Sequence, residues 1–185
     1  MPIFGITASS NMSTKLTDFY QIATTTVGSG GASEIVFSSI PQDYTHLQIR
    51  GIPRITAAIG DDWTRIQFNS DTGSNYSWHV LAGNGTAASS GNATSQSSML
   101  YISTPGANRT ASSFGIGVVD ILDYTNTNKF KTIRAISGYD ANGTGETHLI
   151  SGNWRSTNAI TSIKVYPTTV NFAQYSSFQL YGIKA

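Results

Sequence analysis

Thr45-His46-Leu47-Gln48-Ile49-Arg50 sets Leu47 and Ile49 in one phase and His46, Gln48 and Arg50 in the other. Successive side chains of an extended chain leave opposite faces, so this period of two predicts a strand, within 44–55, with one buried and one wet face. The same alternation recurs downstream: Ile66 and Phe68 oppose Arg65 and Gln67, and Tyr76, Trp78 and Val80 oppose Ser77 and His79. Between those two runs, Asn69 to Asn75 is rich in turn formers and predicts a hairpin connection.

Upstream, Phe19 to Val27 is β-branched and aromatic and ends at Gly28-Ser29-Gly30-Gly31, a strand and a tight turn. Residues 32–40 form a further run that stops at Pro41. Downstream, strands are predicted over 99–103, 113–122, 129–137, 147–154, 159–166 and 176–183, each bounded by Gly, Asn, Asp, Thr or Pro. No eleven-residue window sustains helical apolar spacing. Many short strands on one core predict an all-β fold: an antiparallel two-sheet β-sandwich, jelly-roll-like, over 19–185. Strand order is left open.

Two segments stand outside this pattern. Gly83 to Ser98 is a polar, low-complexity stretch of sixteen residues, expected as a long loop that is mobile or held by a partner. Residues 1–18 lack periodicity and are expected to form an extended N-terminal arm. Its apolar Ile3, Phe4 and Ile6, together with Phe19, are the candidate attachment residues, docking on the chain's own sheet or on a neighbouring molecule.

Composition narrows the functional classes. Eleven Lys and Arg against ten Asp and Glu leave a net charge of +1, so no basic field exists to hold a nucleic-acid backbone. Ser, Thr, Asn and Gly make up 77 of the 185 residues, which dresses the surface in hydroxyls and amides. The chain has no cysteine, hence neither disulfides nor thiolate chemistry. Met1 to Ala8 lacks the basic flank and apolar length of a signal peptide, and no window approaches a membrane span. Synthesis in the cytoplasm and no membrane partner are therefore expected.

Catalytic signals are sparse. His46, His79 and His148 are scattered over separate strands without a metal-ligand spacing, and no G-x-S-x-G elbow marks an activated serine. Asp61, Asp62, Asp71 and Asp140 fall in expected turns, and Asp120 and Asp123 lie near a strand end, with Arg134 as a cross-sheet partner. Asn69-x-Asp71-x-Gly73 lacks the closing glutamate of a calcium loop, which here is Val80. No catalytic residue, metal or cofactor is assigned. Among the aromatics, Tyr76, Trp63 and Tyr101 are the candidate glycan contacts, provided that their rings stand in solvent.

Longer blocks carry a resemblance. The start Met1-Pro2-Ile3-Phe4-Gly5-Ile6-Thr7-Ala8-Ser9-Ser10, the block Ile22 to Gly31, Phe37-Ser38-Ser39-Ile40-Pro41 and Thr45 to Arg50 resemble a family of small virion proteins of tailed bacteriophages. The likeness continues through Gln67 to Tyr76, Tyr124 to Thr132, Trp154-Arg155-Ser156-Thr157 and Leu180 to Lys184. These blocks contain no catalytic motif, so the resemblance transfers no catalytic residue. It implies a non-enzymatic structural β-sandwich on the virion, either a capsid decoration (cement) protein bound to the major capsid protein or a tail-fibre, receptor-binding module meeting host glycans. The short arm and the lack of any stalk pattern favour decoration, and analogy with such caps implies a homotrimer.

Overall fold

The computed structural model describes residues 18–184. Twelve strands lie within them, in the order β1 (Phe19–Thr26), β2 (Ile35–Phe37), β3 (His46–Ile52), β4 (Asp61–Phe68), β5 (Tyr76–Gly83) and β6 (Ala88–Gln96). The second half adds β7 (Met99–Pro105), β8 (Ile116–Ile121), β9 (Lys131–Asp140), β10 (Gly145–Trp154), β11 (Ile163–Pro167) and β12 (Ser177–Ile183). All pairings are antiparallel. An eight-stranded sheet runs β1-β12-β3-β8-β9-β10-β5-β6, and a four-stranded sheet runs β2-β11-β4-β7. The expected two-sheet antiparallel fold is present.

The core lies between the sheets and is built by the alternation that the sequence displays. Leu47 and Ile49 of β3, Val119 and Ile121 of β8, Ile133 and Ala135 of β9 and Phe178 and Leu180 of β12 are all buried. From the small sheet, β7 comes closest. A Cβ on Gly117 would stand 2.4 Å from Ile102, and one on Gly152 would stand 2.6 Å from the Met99 sulfur. Those two glycines are therefore sockets for β7 side chains, and filling them would push the sheets apart.

Two expectations of local structure are corrected. Residues 69–75 are no hairpin: β4 belongs to the small sheet and β5 to the large one, so the segment carries the chain across the sandwich. Asp71 shapes this crossing by accepting the Gly73 N–H at 2.8 Å and the Asn75 side-chain amide at 2.9 Å. Nor is Gly83 to Ser98 a loop, since 88–96 pair with β5 as an edge strand. A four-residue turn closes that hairpin, with the Asn84 carbonyl Oδ1 accepting the N–H groups of Thr86 and Ala87. Backbone hydrogen bonds to a firm neighbour form this strand whatever its side chains, which is why small polar residues hid it.

The β9–β10 hairpin turns through Asn142 (φ 57°) and Gly143 (φ 103°), the left-handed pair that a tight hairpin requires. Beside it, the loop 106–115 is fastened by two arginines. Arg54 donates to the carbonyls of Arg109, Thr110 and Ser113, and Arg109 donates to Gly60, to the Asp61 carboxylate at 2.6 Å and to the Tyr139 hydroxyl.

Candidate functional site

The outer face of the large sheet is banded across its strands. One band is polar and internally satisfied: Arg134 donates to Asp120 at 3.0 Å, Gln48 donates to Asp120 at 2.8 Å, and Arg50 donates to Gln48 at 2.9 Å. The Arg50 guanidinium then lies 4.7 Å from the Tyr181 ring centroid and 5.8 Å from that of Phe19. The cross-sheet partnership of Asp120 with Arg134 is the one expected from sequence, and the two are register partners.

Two residues further along each strand lies an apolar band. Leu81 faces Leu149, Leu149 faces Ile136, and Ile136 faces Val118, so four strands place their side chains in one row. Ile136 is 59 % exposed, Leu81 54 % and Leu149 49 %. Ile116 and Ile52, also exposed, stand two residues further along β8 and β3 and widen the apolar surface there, whereas the β3 residue in line with Val118 is Arg50. Grooves of about 460 Å³ beside Leu81 and Leu149 and about 740 Å³ beside Ile116 and Ile136 follow it. The apolar area is on the order of 500 Å², at the upper end of what a soluble monomer leaves in one patch. At its end lies β6, the edge strand among the described residues, nine residues long without a charge or a proline to discourage pairing.

A second cluster lies at one end of the sandwich interior. The Asp61 carboxylate accepts from Arg109 at 2.6 Å and from the Tyr139 hydroxyl at 2.8 Å; burial, then Asp61, push the Tyr139 hydroxyl up to about 12. Nearby, His148 is buried, its Nε2 3.2 Å from Glu146 and its ring edge-on to Trp63 at 4.8 Å. Burial holds its pKa below the usual histidine value, against the pull of Glu146 and Asp61. His148 Nδ1 and the Oγ of Ser137, its register partner, are both buried without a hydrogen-bond partner. His148 is only 2 % exposed, and the contacts of Asp61 with Tyr139 and of Trp63 with His148 fasten the small sheet to the large one.

Each candidate residue now has a place. Ile3, Phe4 and Ile6 lie outside the described residues. Phe19 opens β1 on the outer face, 42 % exposed beside Arg50. The glycan contacts require correction. Tyr76 and Tyr101 are fully buried, with Tyr76 bonding to the Phe68 backbone and Tyr101 donating to Ile49 and Gly117 carbonyls, so neither offers a ring to a sugar. Both occupy the apolar phase of strands facing the second sheet. Trp63 is half-buried against His148. Among the described residues no group of three or more His, Cys, Asp or Glu could hold a metal ion.

Sequence reading missed the apolar row. Its signal was present: Ile136 and Leu149 stand in the solvent phase of their strands, between Arg134 and Gly138 and between Thr147 and Ser151. No helix among the described residues is long and apolar enough to cross a membrane. No protein-family model matches the chain, and no curated protein or solved structure matches it either.

Proposed function

We propose that this chain is a non-enzymatic structural protein of a tailed-phage particle: a capsid decoration protein that binds the outer shell and stabilises it. The observation that supports this reading is the apolar row Leu81, Leu149, Ile136 and Val118, aligned by strand register on one sheet face beside a polar band that is already satisfied. Such a face suits adhesion. It buries apolar area against a partner without stripping water from unpaired charge. The hydroxyl-rich remainder of the surface keeps the module soluble before it assembles.

The reading as a fibre tip meeting host glycans loses two of its three contact residues to the core. Decoration is tested by the copy number of the chain relative to the major capsid protein in purified particles, together with binding of Leu149→Asp to undecorated shells. Hundreds of copies and a binding loss of at least tenfold are expected. A handful of copies, or full binding by the variant, refutes it.

A further inference from the structure

We infer that the apolar row on the outer face of the large sheet is the seat of the N-terminal arm of a second copy of this chain, so that the protein self-associates by arm exchange. This inference rests on the outer face being the adhesive surface and assigns the row itself to the contact between copies, so the loss of shell binding expected of Leu149→Asp comes through loss of the oligomer.

Chemistry selects the arm. Residues 1–14 carry no charged side chain and include Ile3, Phe4 and Ile6. From Leu81 to Val118 the row offers only aliphatic side chains, between Ser90 of β6 at one end and Arg50 of β3 at the other. Dimensions agree as well. From Val118 to Leu81 the row crosses four neighbouring strands, about 14 Å at the usual strand spacing. Pro2 to Ile6 extended covers about 13 Å.

The tether sets the geometry. Ile6 lies thirteen residues before Phe19, a reach of up to about 43 Å, and a domain of this size is about 40 Å across. An arm rooted at Phe19 can therefore reach a neighbouring copy. The polar band decides between own and neighbouring sheet. Phe19 pairs with Ile183, whereas the row lies beyond the line of Gln21, Tyr181, Gln48 and Asp120. Folding back in cis would draw residues 7–18, Lys15 and Asp18 among them, over Arg50, Gln48 and Asp120, displacing the water around a hydrogen-bonded set that is already complete. An arm arriving from a second copy meets the row from the β6 edge at Ser90, in line with Leu81, and avoids that band. Head-to-tail exchange of this kind closes into a ring when the rotation permits.

Because the chain has no cysteine, engineered thiols report the contact directly. Ile3→Cys and Leu149→Cys chains, mixed and oxidised, are expected to form a disulfide between chains, and a control pairing Ile3→Cys with Thr132→Cys is not. In sedimentation velocity at micromolar concentration the full chain is expected as an oligomer, and both a chain lacking residues 1–14 and Ile136→Asp as monomers with unchanged β circular dichroism. A monomeric full chain, an oligomer that persists without the arm, or a disulfide formed only within a chain carrying both cysteines overturns the inference. Shell binding is scored separately: arm-dependent oligomers that ignore shells refute decoration alone, and arm-independent oligomers that coat shells refute arm exchange alone.

Discussion

The Trp154 indole N–H donates to the Asp71 carboxylate at 2.7 Å, joining the end of β10 to the segment that carries the chain from one sheet to the other. Trp154 is in turn stacked on Tyr76 at 6.3 Å and set edge-on to Phe68 at 5.6 Å. Tyr76 donates through its hydroxyl to the Asp71 carbonyl and accepts the Phe68 N–H. One carboxylate thus serves the crossing segment and the largest aromatic group of the core together.

Replacing Asp71 with Ala removes the acceptor for Trp154, Gly73 and Asn75 at once. A charge-assisted set of this kind is worth about 3 kcal/mol, so the urea midpoint should fall clearly while the β spectrum persists. Burial raises the Asp71 pKa, but the bonds from Trp154, Asn75 and Gly73 outweigh it and hold the carboxyl below its ordinary value. Its contribution is therefore complete above the unfolded pKa of about 3.9 and is lost as pH falls through the folded one. An unchanged midpoint for Asp71→Ala at pH 7 would refute this account.

Lys131 is fully buried, and its ammonium donates to the carbonyls of Asn126 (2.6 Å), Lys129 (3.0 Å) and Thr157 (3.1 Å). Two loops therefore share one cation, and no carboxylate among the described residues is bonded to it. Lys131→Met keeps the stem and deletes the donor, leaving three acceptors behind, and should cost about 3 kcal/mol. Burial also lowers the Lys131 pKa, so the unfolded chain binds the proton more tightly, and stability from this group rises as pH climbs from the folded towards the unfolded value. Denaturation of the variant and parent at pH 7 and pH 10 checks both statements: the midpoints should differ, and the difference should widen at the higher pH.

How much of this was legible in the sequence follows from what each residue depends on. The β3 alternation around Leu47 and Ile49 is local, and the strand formed as read. The pairing of Asp120 with Arg134 was also legible, because adjacent strands align opposite charges. By contrast, β6 owes its existence to β5, and Ala88 to Gln96 carry no periodicity of their own. Likewise Asn69 to Asn75 has turn composition whether it joins neighbours or opposite sheets; Asp71 reaches Trp154 across 83 residues, which no local pattern encodes. The apolar row is a property of register. Leu81, Val118, Ile136 and Leu149 belong to four strands and become one surface only once those strands are aligned.

His148 supplies a pH signature. It is held neutral by burial, its Nε2 beside Glu146 and its Nδ1 unpaired. With the folded pKa below the unfolded one, the unfolded chain takes up a proton first on acidification. Stability is thus whole above the unfolded value of about 6.5 and is lost as pH falls towards the folded one, by at most about 1.4 kcal/mol per pH unit. Urea midpoints between pH 5 and pH 8 should show this slope in the parent, and His148→Gln should flatten it. A slope shared by both would place the titration elsewhere.

Val170 holds a left-handed backbone at φ 46° and is 56 % exposed. A β-branched residue pays for this conformation in steric contact between its side chain and the following carbonyl, about 1–2 kcal/mol, and here little packing offsets it. Asn tolerates the same angles, so Val170→Asn should stabilise the fold by about 1 kcal/mol and raise the melting temperature by a few degrees. Gly at this position relieves the same strain but adds freedom to the unfolded chain, and should stabilise less than Asn. A loss of stability in both variants would mean that Val170 makes contacts worth more than its strain, which its exposure argues against.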